Sequence, residues 1–194
     1  MGAIIMIVYE ETKKDFLEDV YQDRVVRKIL EKFNAGNSEK ESWVDAANHM
    51  AKILADDRFP DDITIAMEFK LYNTSMRVDF IVTGLNEDKK NTIIVIEFKR
   101  WEKVKVVTDR DDMVELGPRN IRQHPSYQAL GYAKVIKNFY VAAEDGKMDI
   151  IPCSCLHRYE KKDINDDITN EHYKELLEEL SLIHISEPTR HLRI

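Results

Sequence analysis

Thr92-Ile93-Ile94-Val95-Ile96-Glu97-Phe98-Lys99 is the stretch on which the reading of this chain turns. A short, nearly continuous β-branched run is the pattern of a central strand covered on both faces. Its end is unusual, because an acid placed there is costly to bury unless it is paired or bound to a cation. Side chains alternate along a strand, so Glu97 and Lys99 share one face and Phe98 takes the other.

Two strand-like runs lie upstream. Arg77–Gly84 alternates, with Val78, Phe80 and Val82 opposite Asp79, Ile81 and Thr83. Ile63–Leu71 also alternates, with Ile63, Ile65, Met67, Phe69 and Leu71 on one face and Thr64, Ala66, Glu68 and Lys70 on the other. Asn73-Thr74-Ser75 and Asn86–Asn91 are turns short enough for an antiparallel meander. Such a meander brings Asp79 beside Glu97 and Lys99.

Before the strands, Glu11–Phe33 reads as one helix with Phe16, Val20, Ile29 and Phe33 near one stripe. Ser38 with Glu41 forms a capping-box pattern for a second helix running to about Ala55 and burying Trp43, Ala47, Met50 and Leu54. After Lys99 the chain is polar and irregular to His124, with a possible hairpin from Lys103–Val107 and Met113–Leu116. Pro125 suits the first turn of a helix over Ser126–Tyr140. Glu144-Asp145-Gly146-Lys147 is a turn, and Asp149–His157 is a fourth strand whose Pro152 marks an edge or a bulge. A last helix begins over Asn170–Glu179.

Two carboxylates and an ammonium on adjacent strands suit metal-assisted phosphodiester hydrolysis. A hard divalent cation, Mg²⁺ or Mn²⁺, matches ligands that include no Cys or His. Asp79 and Glu97 are the candidate ligands, and Lys99 would position or deprotonate a water and offset developing charge. The structural alternatives are an Asp79 ion pair with Arg77 or Lys70, and a hairpin ion pair for Glu97. Glu68 is either a third catalytic acid or a partner of Lys70 or Arg77. Glu39, in the first turn of the second helix, is a weaker supporting acid. Arg100 and Lys103 either touch a phosphate backbone or line a solvated edge. Gln128 and Tyr132, at i and i+4, share a helix face.

Asp79, Glu97-Phe98-Lys99 and the order helix, three strands, helix, strand together resemble the PD-(D/E)xK, or restriction-endonuclease-like, nucleases. The resemblance covers about 38–157. It implies an α/β fold with an αβββαβ core, a mixed four-stranded sheet flanked by helices, and here an extra N-terminal helix. It also implies that the backbone carbonyl of Phe98 joins the metal ligands. Gln128 and Tyr132 resemble the QxxxY element of RecB-like members, with Gln128 hydrogen-bonding substrate or site carboxylates and Tyr132 backing it.

A closer resemblance rests on Met6–Lys13, Ser42-Trp43, Arg77–Ile81, Glu97–Val104 and His124–Ala129. These look like the N-terminal region of a bacterial family that joins such a domain to a C-terminal Schlafen-type superfamily-one helicase ATPase. The match spans 6–179 and implies a misassigned start before Met6, nucleic acid as partner with DNA favoured over RNA, and an ATPase in cis. No GxxxxGK[ST] loop occurs here, so ATP binding is not assigned to this stretch. The alternative reading is a catalytically inactive nucleic-acid-binding or docking module of a helicase-like ATPase.

Composition sets the outer bounds. The chain has 194 residues, 43% of them hydrophobic and 34% charged, a globular balance. The net charge of −7 argues against strong non-specific nucleic-acid binding, which needs Lys and Arg. No apolar run reaches the roughly 20 residues of a membrane span, and no signal peptide is evident, so a cytoplasmic location without membrane partners is expected. Cys153 and Cys155 sit two apart on one strand face and read as buried thiols. Finally, Leu180–Arg190 resembles a translated transposase sequencing adaptor residue for residue. Residues 180–194 are therefore read as a non-native tail, with the natural chain expected to continue past Glu179 into the missing ATPase.

Overall fold

The computed structural model describes residues 8–71, 74–139, 147–162 and 166–179. The misassigned-start reading, most of the Glu144–Lys147 turn and the tail fall outside these residues.

The chain opens with a strand absent from the sequence reading, β1 (Tyr9–Thr12), which pairs antiparallel with β2 (Thr64–Lys70). Thr12 then caps α1 (Lys13–Tyr21) by accepting from the Asp15 N–H. The expected long N-terminal helix is in fact two. The chain leaves the helix after Tyr21, Asp23 takes a left-handed conformation (φ 53°), and α2 (Val25–Lys32) follows. At the break, buried Asp19 accepts from the Tyr9 hydroxyl and the Arg24 guanidinium, and Lys28 lies 2.7 Å away. The break thus brings two cations onto one buried acid. Next comes α3 (Asn37–Leu54), capped by the backbone of Gly36. The capping box at Ser38 and Glu41 does not form; Glu41 is exposed and reaches Arg100 instead.

β2, β3 (Arg77–Leu85) and β4 (Asn91–Lys99) form the expected antiparallel meander. β8 (Met148–Leu156) lies parallel to β4 and is the sheet edge, consistent with Pro152. The main sheet therefore has five strands, ordered β1-β2-β3-β4-β8, and is mixed. The parallel crossover from β4 to β8 carries α4 (Pro125–Phe139) and a small three-stranded sheet, β5 (Lys105–Val106), β6 (Met113–Glu115) and β7 (Ile121–Gln123). The expected hairpin is present, with β7 added. A 3₁₀ turn at Glu171–Tyr173 leads into α5 (Lys174–Glu179).

Helices cover both sheet faces. Phe16, Ile29, Trp43 and Met50 pack on one face with Ile65, Phe80, Ile94, Ile96, Phe98 and both reduced cysteines. Tyr132 and Ile136 of α4 pack on the other face with Ala66, Ile81 and Val95. A third cluster joins the small sheet to α4 and the C-terminal segment through Val104, Val114, Leu130, Ile168 and Tyr173. Among the described residues no helix is long and apolar enough to cross a membrane.

Alternation in β2 and β3 departs from the simple pattern. Ile65 and Met67 face α1–α3, but Phe69 and Leu71 pack on the α4 side. Val78 also packs there, although Phe80 and Val82 do not. The change of face falls at Glu68, whose φ of 58° is left-handed. An alternating reading assumes extended backbone throughout, and one left-handed residue breaks it.

Candidate functional site

The site lies where β3 and β4 part. Their ladder runs to Phe80–Ile96, and the next opposing residues are Asp79 and Glu97. The β2–β3 ladder also skips the Glu68–Asp79 step before resuming at Phe69–Val78. Two interrupted ladders at one level leave backbone groups for side chains to satisfy. Asp79 takes one of them: the Phe98 N–H donates to Asp79 Oδ2 at 2.8 Å. In antiparallel pairing a residue's N–H and C=O lie on the same side of its strand. The Phe98 carbonyl accordingly faces the same gap.

Glu97 is almost fully buried, and its Oε1 accepts from Lys99 Nζ. Its other oxygen, Oε2, is buried with no hydrogen-bond partner. Burial pushes the Glu97 carboxyl above its ordinary range, the Asp79 charge pushes it further, and the Lys99 ammonium opposes both. Asp79 keeps some exposed surface, yet protein atoms crowd its carboxyl group; that burial raises it too, against the Phe98 N–H and Lys99. The ammonium of Lys99 also lies 5.6 Å from the centre of the Trp101 ring. Lys99 thus acts on both crowded carboxylates, with Arg77 adding to its effect on Asp79.

α4 closes the site from the other side. Its start is held by His124, which accepts from the Ser126 N–H at Nδ1 while Nε2 meets the Ile168 carbonyl. Those contacts assign the neutral tautomer with the proton on Nε2. Ser126 meets Ser154 of β8 at 3.0 Å, and Ser154 is the neighbour of Glu97 in the parallel ladder. Gln128 donates to the Tyr132 hydroxyl at 2.6 Å. That hydroxyl lies beside Glu97 and favours its charged form, although no well-directed hydrogen bond reaches Glu97 Oε2. Gln128 therefore backs Tyr132, the reverse of the expected order of support.

Glu68 and Glu39 are in place but engaged. Glu68 Oε1 accepts from the Trp43 indole N–H at 2.7 Å, and Arg77 Nε lies 2.5 Å from Oε2 in an ion pair without directed hydrogen-bond geometry. Burial pushes Glu68 up to about 7, with Asp79 adding to the rise while Arg77 and Trp43 oppose it. Arg77 Nη2 also lies 2.5 Å from Glu39 Oε1. The ion pair with Arg77 weighed for Glu68 is present. Arg77 is not the partner of Asp79.

Arg100 is directed away from this group. It pairs with Asp45 at 3.0 Å and Glu41 at 3.4 Å, and Asp45 also holds Arg158. Lys103 is exposed and lines a groove with Tyr159 and Lys161. The role of Trp43 was missed from the sequence, while Arg77 is weighed there as a partner of Glu68 but not of Glu39. A signal existed for Trp43, because a buried indole N–H needs an acceptor.

Among the described residues no group of three or more His, Cys, Asp or Glu gathers as a metal cluster. The donors fit a hard divalent cation all the same. They are oxygens, Glu97 Oε2 lacks a hydrogen-bond partner, and burial raises both carboxyl groups, with the Asp79 charge raising Glu97 further, a strain that a cation relieves. Asp79, Glu97 and the Phe98 carbonyl would hold it, with water completing the shell.

Comparison with protein-family models, with curated proteins and with solved structures finds no match for this chain.

Proposed function

We propose that this chain is a metal-dependent nuclease domain that hydrolyses nucleic-acid phosphodiesters, built on a restriction-endonuclease-like core. The observation that carries the proposal is the Asp79–Glu97 pair at the strand split, with Glu97 Oε2 buried and unpartnered and Lys99 against Oε1. A structural ion pair would need only one acid for Lys99. Two crowded acids cost stability unless something else is bound.

When bound, Mg²⁺ or Mn²⁺ would polarise a phosphoryl oxygen and lower the pKa of an attacking water. Lys99 would orient that water and offset charge growing on the phosphorus oxygens. Tyr132, held by Gln128, lies beside Glu97 and favours its charged form. The DNA-over-RNA preference, the cytoplasmic setting and the helicase ATPase in cis rest on the sequence resemblance alone.

The test is cleavage of DNA and RNA oligonucleotides by the purified chain with Mg²⁺ or Mn²⁺. Glu97→Ala and Lys99→Ala should each abolish cleavage. Unchanged cleavage in either variant, or none in the wild type, would overturn the proposal. A protein that binds DNA without Mn²⁺ would be the docking module instead.

A further inference from the structure

Arg77 joins Glu68 to Glu39. Its Nε lies 2.5 Å from Glu68 Oε2 and its Nη2 lies 2.5 Å from Glu39 Oε1. The guanidinium also lies over the Phe33 ring, 4.4 Å from its centre, which fixes its plane. The remaining oxygen of Glu68 accepts from Trp43. Glu68 thus has one oxygen hydrogen-bonded to Trp43 and the other ion-paired with Arg77, and Glu39 has one oxygen paired with Arg77.

Glu68 and Glu39 are the acids nearest in kind to what a second divalent cation would use, and Glu68 neighbours Asp79 across the interrupted ladder. Here their positive charge is supplied from within, by a residue two positions before Asp79. We infer that Arg77 stands in place of a second cation, so that the centre takes one divalent ion per chain, held by Asp79 and Glu97. The inference rests on the metal-dependent reading above. An arginine suits this role better than a lysine: its planar fork spans two carboxylates, and it keeps its charge at any working pH. Glu39 and Glu68 are on this account positioning residues. They hold β2, β3 and α3 together beside the metal without ligating it.

Mn²⁺ titration of the full chain, by calorimetry and by electron paramagnetic resonance, tests this apart from cleavage. One Mn²⁺ per wild-type chain is expected, and two would overturn the inference while leaving the nuclease reading intact. No binding at all would overturn the nuclease reading itself. Glu39→Gln should leave Mn²⁺ affinity within about twofold; a loss of about tenfold or more would make Glu39 a ligand. Arg77→Met, checked for folding by circular dichroism, should admit a second, weaker Mn²⁺. If folded Arg77→Met still binds one, Arg77 is not what limits the count.

Discussion

The Phe98 N–H donates to the carboxylate of Asp79 at 2.8 Å, across the point where β3 and β4 stop pairing. The bond does two things. It satisfies a strand amide that the parted ladder leaves over, and it fixes Asp79 next to Glu97. A split in the sheet is thereby converted into a site with two acids.

That closeness costs the metal-free chain stability. Both carboxyl groups are raised above their ordinary range, chiefly by burial, so ionising them costs more in the folded chain than in the unfolded one. Asp79→Asn and Glu97→Gln should therefore abolish Mn²⁺ binding and yet stabilise the metal-free protein, by about 1–2 kcal/mol near pH 8. Urea denaturation in the presence of a chelator measures the change. A loss of stability in both variants would show that the acids are structural partners.

Two other buried acids give stability a pH profile with opposite slopes. Glu68 is raised from 4.5 to about 7. The folded chain thus holds a proton that the unfolded chain releases, and this contribution is full below the ordinary carboxylate range and lost as pH rises through about 7. For Asp19, burial acts to raise the carboxyl, but the bonds and charges of Lys28, Tyr9 and Arg24 outweigh it and hold the group below its ordinary value. Its contribution is present above that value and lost as pH falls through the folded one. Thermal unfolding of the metal-free chain should peak at about pH 5, with Glu68→Gln removing the part of the alkaline loss centred near pH 7, Asp79 and Glu97 keeping theirs, and Asp19→Asn reducing the loss on the acid side.

Much of this was legible in the sequence because period and polarity were informative together. The β-branched run before Glu97 and the short turns around it specified a central strand in a meander, and the faces of Glu97, Lys99 and Tyr132 followed from spacing. β1 was not legible. Four residues, Tyr-Glu-Glu-Thr, show no alternation strong enough to separate them from a helix start. The change of face at Glu68 was hidden for a different reason. It depends on one backbone torsion, and glutamate carries no signature of a left-handed conformation. The Arg77 bridge was named only as one alternative among several, since choosing between Glu68 and Asp79 needs the rotation that torsion supplies.

Trp43 tests how Glu68 is held. Its indole N–H is the directed hydrogen bond on Glu68 Oε1, in a buried setting. Trp43→Phe keeps an aromatic ring but leaves that oxygen unpaired, which should cost about 1–3 kcal/mol. The loss should grow with pH, because the donor that favours the charged carboxylate is gone. A pH-independent loss in urea denaturation would assign the effect to packing alone.

The left-handed backbone at Glu68 makes a sharper prediction, because it reverses an ordinary rule. In a regular strand, glycine is less stable than alanine by about 0.5–1 kcal/mol, since it loses more freedom on folding. At φ 58° alanine's Cβ crowds the backbone, at a cost of about 1–2 kcal/mol that glycine avoids. Glu68→Gly and Glu68→Ala lose the same contacts to Trp43 and Arg77, so their difference isolates the backbone. Glu68→Gly should be the more stable of the two by about 1 kcal/mol in urea denaturation. Alanine ahead of glycine would mean that residue 68 is extended, and β2 would then keep one face from Thr64 to Lys70.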